Sequence, residues 1–283
     1  MNPEDESKGL ILSKKRMNSK TVLITGAQGG LGSALTQDFM KNGWTVIATD
    51  LDNKIPKDEL PDNRLIRIAM DVSSDESVGI VAGQLKQNRQ QLDIIINNAG
   101  IDRYFPLCET PVAKFKEIFE VNVFGCYRVN QAFLPVLKKP GGRIINISSE
   151  AVKINVPFMT YPVSKQTLES YSRTLRQELR FLGIDVVLIR PGAINTPFLE
   201  NVKKIKNPVS DSLLQVPFEK FAEQAYREIG KTIDPFKAAK FILKIAQAKK
   251  IKFIYKINNS MLLSIASMLP FWVIERMVYR RLK

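Results

Sequence analysis

The hydrophobic pattern alternates between short apolar runs and segments with helical spacing. Aliphatic and β-branched runs occur at 22–24, 45–49, 65–70, 93–97, 143–147, 185–190 and 253–255. Between several of them, apolar residues recur at helical spacing, as at 75–88, 111–136, 161–181 and 235–248. The runs are continuously apolar, which is typical of parallel strands covered by helices on both faces. The pattern therefore predicts an α/β fold with a doubly wound parallel sheet of about seven strands.

The first strand leads through a glycine-rich turn directly into a helix. The turn contains Gly26, Gly29, Gly30 and Gly32. Glycines let the backbone turn sharply and let a pyrophosphate lie against bare N–H groups, where a helix N-terminus favours negative charge. The turn predicts a dinucleotide site of Rossmann type, with an ordinary strand-to-helix loop as the alternative.

Asp50 ends the second run, about 20 residues beyond the glycines, where dinucleotide-binding units place an acid on the adenosine ribose. Its charge would repel a 2′-phosphate, and the turn offers Gln28 and Gly29 rather than a compensating cation. We therefore predict NAD in preference to NADP.

Length and composition limit the remaining possibilities. The chain has 283 residues and 45% hydrophobic content, which suits a single domain. We predict a disordered leader (1–18), a catalytic domain (19–257) with a substrate lid (197–234), and a tail (258–283).

Histidine is absent, which excludes Ser-His-Asp triads and most zinc sites, so no metal is predicted. Cys108 and Cys126 are expected to be reduced core or pocket residues in a cytoplasmic protein.

Positive charge is concentrated in the last third of the chain. Of the formal charge of +14, residues 200–283 carry 17 Lys or Arg against 7 Asp or Glu, a net +10. An anionic membrane surface is one expected partner, and a solvated basic surface is the alternative. The sequence contains no nucleic-acid-binding motif, so we expect no nucleic acid partner.

The tail is apolar but too short to span a bilayer. The apolar stretch 261–274 contains Pro270, whereas a spanning helix needs about 20 apolar residues. Beyond the proline, four apolar residues share one helical stripe, with Arg276, Arg280 and Lys283 roughly opposite. That stripe, Phe271, Ile274, Val278 and Leu282, predicts peripheral attachment to an anionic surface; packing on the domain or on a second subunit are the alternatives.

Several short motifs in a fixed order resemble the short-chain dehydrogenase/reductase family. They cover nearly the whole chain and are TGAQGGLG from Thr25, Asp71, NNAG from Asn97, Asn122, the Ser148-Ser149 pair, YPVSK from Tyr161 and PGAINT from Pro191. The segment from Ile233 to Ile257 and the tail are similar to the retinol- and hydroxysteroid-type branch. The resemblance implies hydride transfer between NAD and a bulky apolar alcohol or ketone, in a homodimer or homotetramer.

Tyr161 is the predicted general acid/base. A free phenol has a pKa near 10, and one ammonium at ~4 Å supplies about the 3-unit shift needed near pH 7. Lys165, one helical turn on, is placed to provide it, and in the family this lysine holds the nicotinamide ribose. Ser149 would hydrogen-bond the substrate oxygen, although residue counting selects Ser148, and Asn122 would anchor a water.

The motifs also imply the residues of the cofactor site. These are Gly26, Gly30, Leu31, Gly32, Asp50, Asp71, Val72, Asn98, Ala99, Gly100, Pro191, Ile194 and Thr196, together with Tyr161 and Lys165. For Asn98 and Gly100, a role in shaping the turn is the alternative. Phe198, Leu213 and Phe218 are predicted to form an apolar substrate wall, with core packing as the alternative. A non-enzymatic NAD-binding regulator is the second functional hypothesis, and the complete set Asn122, Ser149, Tyr161 and Lys165 favours the enzyme.

Overall fold

The computed structural model describes residues 19–55, 63–227 and 230–283. Within these ranges, seven parallel strands form one sheet in the order β3-β2-β1-β4-β5-β6-β7. They are β1 (Thr21–Thr25), β2 (Thr45–Asp50), β3 (Leu65–Ala69), β4 (Ile94–Asn97), β5 (Arg143–Ile147), β6 (Asp185–Pro191) and β7 (Ile254–Ile257). The predicted doubly wound fold of Rossmann type is confirmed. The strand order reverses between β1 and β4, so a ligand crevice is expected at their carboxyl ends.

The helices cover both faces of the sheet. They are α1 (Gly30–Lys41), α2 (Asp75–Gln87), α3 (Val112–Phe119), α4 (Cys126–Phe133), α5 (Tyr161–Leu179), α6 (Pro197–Glu200), α7 (Gln215–Arg227), α8 (Pro235–Gln247), α9 (Met261–Ala266) and α10 (Phe271–Leu282). Val22 and Ile24 of β1 point into one buried cluster, and Leu23 points into the cluster on the opposite face. Both faces of each central strand are therefore buried, which explains the continuously apolar runs.

The helix predicted at 111–136 is interrupted in the middle. A π-helical turn at Glu120–Gly125 separates α3 from α4. The Asn122 side chain accepts from the Ile101 N–H at 2.8 Å and donates to the Ile101 carbonyl at 2.9 Å. The wider turn thus directs Asn122 toward the loop after β4, a common use of π-turns at functional sites. The apolar spacing continues across this turn and could not reveal it.

Other predicted features differ from the structure in detail. Helix α5 ends at Leu179, and a 3₁₀ turn at Arg180–Leu182 follows it. Cys126 is buried, but Cys108 is exposed, so the prediction of a core or pocket position is wrong for Cys108. The predicted leader at 1–18 lies outside the described residues. Within the described ranges, no group of His, Cys, Asp and Glu side chains could hold a metal ion.

The tail forms α9 and α10, which meet near Pro270. No helix in the described part of the chain is long and apolar enough to cross a bilayer. Val278 and Leu282 of the predicted stripe pack with Phe158, Phe218 and Phe221 on the body of the domain. The C-terminal half of the stripe therefore docks α10 on the domain, which is the packing alternative for these two residues.

Candidate active site

The glycine turn after β1 leaves the N-terminus of α1 accessible. Gly26 has a φ of 64°, in the left-handed region that favours glycine. A Cβ at Gly32 would collide with the Gly26 carbonyl oxygen. Gly29 precedes α1 and gives it no side-chain cap, and the first turn carries no acid. Bare N–H groups at the positive end of the helix dipole suit the pyrophosphate of a dinucleotide.

Asp50 lies beside this turn with its carboxylate held by backbone groups. Its two oxygens accept from the N–H groups of Gln28 and Leu51, each at 2.9 Å. Lys54 Nζ lies 3.6 Å from Asp50 Oδ1, and its side chain is 54% exposed. The glycine turn itself contains no compensating cation, but Lys54 lies near Asp50 on the segment that follows β2. Lys54 screens part of the negative charge that would discriminate against a 2′-phosphate.

Asn98 and Ala99 join the ends of β1 and β4. The Thr25 hydroxyl accepts from the N–H groups of Asn98 at 3.1 Å and Ala99 at 3.0 Å. The Asn98 amide donates to the carbonyls of Thr25 and Gly26, both at 3.0 Å. Asn98 therefore shapes the turn, which was the alternative interpretation of this residue.

The Asp71 carboxylate orders the loop after β3 by accepting from the N–H of Ser73 at 2.8 Å and its hydroxyl at 2.7 Å. Val72 is buried, and a Cβ at Gly125 would lie 2.9 Å from it. These contacts bring the β3 loop against the π-helical turn that carries Asn122.

The loop after β6 returns to the glycine turn. Pro191 ends β6, and Thr196 immediately precedes α6. A Cβ at Gly30 would lie 2.6 Å from Thr196 Cβ. Pro191, Ile194 and Thr196 are therefore on a segment that closes over the start of α1, where Gly30 and Leu31 lie. This places the predicted nicotinamide-side residues next to the predicted phosphate site.

Tyr161 begins α5, and its hydroxyl lies near the Ser149 side chain at the carboxyl end of β5. Burial raises the pKa of Tyr161 well above its usual value, the nearby Ser149 side chain opposes this rise, and the Asp102 charge adds to it. From the sequence, Lys165 is expected to lower this pKa. In the ligand-free protein the Tyr161 pKa is raised instead, because the desolvation of the phenolate outweighs the favourable contacts.

Lys165 lies one turn after Tyr161 and is also buried. Its Nζ donates to the Ile147 carbonyl at 2.8 Å and lies 5.6 Å from the centre of the Tyr161 ring. Burial lowers the pKa of Lys165 to about 8. The ammonium is therefore close to the tyrosine ring, and its pKa lies nearer to neutral pH than that of a free lysine.

Asn122 and Lys165 border a small cavity at the carboxyl edge of the sheet, together with Thr25, Asn97 and Ala99. A Cβ at Gly100 would lie 3.3 Å from Asn122 Oδ1 and 3.5 Å from Lys165 Nζ. Asn122 Oδ1 and Lys165 Nζ therefore both lie close to Gly100, on the same side of the loop after β4. Among the described residues, Asn97 Oδ1 is a buried acceptor with no hydrogen-bond partner.

Ser148 and Ser149 face opposite sides, as neighbouring extended residues must. Ser148 is buried, and its hydroxyl donates to Glu169 at 2.6 Å. Glu169 also accepts two hydrogen bonds from the Arg190 guanidinium, at 2.7 and 2.5 Å. Sequence reasoning missed this trio, although Tyr161, Lys165 and Glu169 recur every four residues along one face of α5. Ser149, in contrast, faces Tyr161.

The three predicted wall residues have different surroundings. The Phe198 ring lies 5.5 Å from the Tyr161 ring and is 37% exposed. Phe218 is 1% exposed and packs against Phe158 and Phe221, so the core-packing alternative describes it. Leu213 is 93% exposed, so the core-packing alternative does not describe it.

Asp102 is a buried carboxylate beside the site that sequence reasoning missed. It accepts from the Tyr104 hydroxyl at 2.9 Å and from the Asn201 amide at 3.2 Å. Burial raises its pKa, and these hydrogen bonds oppose that rise. Asn201 follows α6, which carries Phe198, so Asp102 links the loop after β4 to the predicted lid. Only its position two residues after the NNAG motif could have drawn attention to it.

Comparison with known proteins agrees with this geometry. The model of the short chain dehydrogenase family matches residues 20–207. Estradiol 17-beta-dehydrogenase 2 of Rattus norvegicus is 36% identical over 191 residues, which are 64% of this chain and 49% of that protein. The mitochondrial D-beta-hydroxybutyrate dehydrogenase of Bos taurus is 30% identical over 228 residues, 75% of this chain and 66% of that protein. The chain thus spans about half to two thirds of the length of these relatives.

A solved short chain dehydrogenase/reductase from Burkholderia phymatum, in complex with NAD, has the same fold. Its TM-score is 0.72 at 21% identity, covering 92% of this chain and 95% of that one. The family match, the strand order and the cofactor turn lead to one conclusion: this chain belongs to the short-chain dehydrogenase family of NAD(P)-binding oxidoreductases.

Proposed function

We propose that this protein transfers a hydride between NAD and a bulky apolar alcohol or ketone, with Tyr161 as general acid/base. The observation that carries the proposal is that Tyr161 lies beside Ser149, which opposes the rise of the Tyr161 pKa, with Lys165 Nζ 5.6 Å from the tyrosine ring. This arrangement lies at the carboxyl edge of the sheet, beside the open N-terminus of α1. It provides a proton donor, a hydrogen bond for the substrate oxygen and a nearby cation.

Each residue has a distinct task in this mechanism. Ser149 and Tyr161 would hydrogen-bond the substrate oxygen, and Tyr161 would give or take its proton. Lys165, with its pKa lowered to about 8, would pass a proton on. A water in the small cavity that Lys165 and Asn122 border would carry the proton onward.

The glycine turn, Asp50 and the β6 loop would hold the dinucleotide. When bound, the nicotinamide supplies the hydride acceptor or donor that these side chains lack. Asp50 supports a preference for NAD, because its carboxylate lies where a 2′-phosphate would approach. Lys54 moderates that preference, since it lies 3.6 Å from Asp50 and could accept a phosphate.

An apolar substrate is supported by the surroundings of Tyr161. The Phe198 ring packs near the Tyr161 ring and is 37% exposed, so it is available to contact an apolar substrate. The names of the two relatives concern a steroid and a hydroxy acid, so the proposal of a steroid, retinoid or long-chain alcohol rests on Phe198.

The test is a substrate screen with the purified protein. Steroids, retinoids, long-chain alcohols and 3-hydroxy acids would be offered with NAD, following the absorbance of the reduced cofactor. We expect turnover with an apolar alcohol that disappears in the Tyr161→Phe variant. Tight NAD binding without turnover on any compound, unchanged by Tyr161→Phe, would favour the non-enzymatic regulator instead.

We also propose a homodimer or homotetramer in which the helices carrying Asn122 and Tyr161 form the interface. Phe124 and Tyr127 are 47% and 49% exposed beside α5, which supports a contact there. Light scattering combined with size-exclusion chromatography tests this, since Phe124→Ser/Tyr127→Ser should shift the protein toward the monomer.

The C-terminal tail supports the proposal of a second partner, an anionic membrane surface. We propose that the protein is cytoplasmic and attaches peripherally to an anionic membrane through residues beyond 258, in line with the net charge of +10 carried by residues 200–283.

A further inference from the structure

We propose that the elbow between α9 and α10 is the membrane-docking surface and inserts its side chains into the interfacial region of an anionic bilayer. This rests on the membrane attachment proposed above, but it names a surface that shares only Phe271 with the stripe predicted by the sequence. The elbow surface consists of Met261, Leu262, Ile265, Met268, Leu269, Phe271 and Trp272.

The elbow surface is apolar and strongly exposed. Its seven side chains are 39–83% exposed, and all of them lie within residues 261–272. Single exposed apolar residues are common, but a contiguous patch of this kind marks a site where another apolar phase makes contact. Such a patch needs a partner to remove it from water.

The elbow surface is held outward by fixed contacts on both sides. The Ser260 N–H donates to Glu150 at 2.7 Å, and Lys153 Nζ donates to the Ser264 hydroxyl at 2.7 Å. Farther along, Leu282 is buried and the Gln224 amide donates to the Arg281 carbonyl at 3.2 Å. The helices are therefore docked on the domain, and their apolar outer face is a feature of the folded structure.

Helix α10 has two opposite faces. Val278 and Leu282 lie on the face that packs on the domain. Trp272, Arg276 and Tyr279 follow one another at helical spacing on the other side, where both aromatic rings are more than 60% exposed. Aromatic rings and arginines on one face are typical of helices that lie at the level of lipid headgroups.

Charge favours an anionic bilayer over a protein partner. Residues 249–283 contain eight Lys or Arg and a single acid, Glu275. Basic side chains around an apolar patch strengthen attraction to anionic lipids, while the apolar side chains enter the layer below the headgroups. In the described part of the chain no helix could span a bilayer, so the elbow would lie on one leaflet.

The sequence supplies its own reporter for the test. The chain has two tryptophans; Trp44 is 4% exposed in the core, and Trp272 is 64% exposed on the elbow. In a full-length Trp44→Phe variant, vesicles of phosphatidylcholine and phosphatidylserine should shift Trp272 emission to shorter wavelength. Brominated lipids should quench that emission, whereas phosphatidylcholine alone should have a weaker effect.

Matched variants locate the contact by vesicle flotation. Leu262→Ser/Trp272→Ser should reduce binding at least about tenfold, since each change removes an inserting side chain. Phe181→Ser/Leu213→Ser is the control, because these residues are 92% and 93% exposed but lie outside the elbow, and binding should stay within about twofold. Arg276→Glu/Arg280→Glu should weaken binding to anionic vesicles in the same way that added salt does.

Three outcomes would overturn the inference. The protein could float without any change in Trp272 emission, which would assign attachment to another surface. The elbow variant could abolish lipid-free self-association, which would assign the surface to a second copy of the chain. A protein that does not float would remove the membrane attachment as well, but turnover measured in lipid-free buffer would still test the catalytic proposal separately.

Discussion

The Ser148 hydroxyl donates a 2.6 Å hydrogen bond to the carboxylate of Glu169, which lies farther along α5 than Tyr161. Glu169 is also held by Arg190, so Ser148 belongs to a buried polar group that ties β5 to α5 and β6. Ser149 is left to face Tyr161. The two adjacent serines therefore have separable roles, one in stability and one in the proposed chemistry.

Replacing each serine by alanine should separate these roles. Ser148→Ala should cost about 1–3 kcal/mol of unfolding free energy, because Glu169 loses a buried donor. Ser149→Ala should reduce kcat by about a hundredfold with a smaller loss of stability. Urea unfolding and turnover on the same preparations check both values. The reverse pattern would make Ser148 the substrate-contacting residue.

Tyr161→Phe should remove turnover while leaving the cofactor site nearly unchanged. The change deletes only the hydroxyl that would exchange a proton with the substrate, which is worth at least about a hundredfold in rate. NAD affinity from isothermal titration should stay within about threefold, because the phenyl ring preserves the packing against Phe198. A variant that retains most of its turnover would contradict the proposed role of Tyr161.

The order of strands, turns and helices could be predicted from the sequence because each of these elements leaves a local pattern. The glycine turn, Asp50 and the i, i+4 pair of Tyr161 and Lys165 are local in the same sense. The π-helical turn at Glu120–Gly125 is not, because one extra residue per turn does not disturb the apolar spacing enough to be noticed.

Long-range contacts could not be predicted from one sequence. Asp102 and Asn201 are 99 positions apart, and nothing local marks them as partners. The tail illustrates the same limit: helical spacing identified an apolar stripe, but only the packed structure distinguishes Val278 and Leu282, which dock on the domain, from Trp272, which is exposed.

Cofactor preference should depend on both Asp50 and Lys54. Asp50→Ala should weaken NAD binding and narrow the difference from NADP, because it removes the ribose acceptor and the repulsion together. Lys54→Ala should widen the preference for NAD, since the cation that could accept a 2′-phosphate is lost. Isothermal titration of both cofactors measures these shifts, and an unmodified protein that binds NADP more tightly than NAD would refute the assignment.

The buried Lys165 should make stability depend on pH in a specific window. Its pKa is lowered to about 8 in the folded protein from 10.5, so between these values the unfolded chain binds more protons. Stability should therefore rise with pH across the window, by up to about 3 kcal/mol from this group. The loss of stability that comes from burying the charged Lys165 is fully present below pH 8, where this lysine is protonated in both the folded and the unfolded chain. Urea unfolding of the ligand-free protein and of Lys165→Met would isolate the effect, since the variant should lack that part of the rise.

The last prediction concerns Asp102, whose negative charge raises the pKa of Tyr161. Asp102→Asn keeps acceptor and donor atoms for Tyr104 and Asn201 but removes the charge, so the Tyr161 pKa should fall. The acid limb of the rate profile for alcohol oxidation should then move to lower pH.

Asp102→Ala instead leaves Tyr104 and Asn201 unpaired, which should loosen the segment carrying Phe198 and raise KM more than it lowers kcat. Glu178→Gln, an exposed acid on α5, is the matched control and should leave the pH profile unchanged. If Asp102→Asn and Glu178→Gln gave the same profile, Asp102 would serve only to hold the lid, because a charge that acts on Tyr161 must change the pH at which that residue titrates.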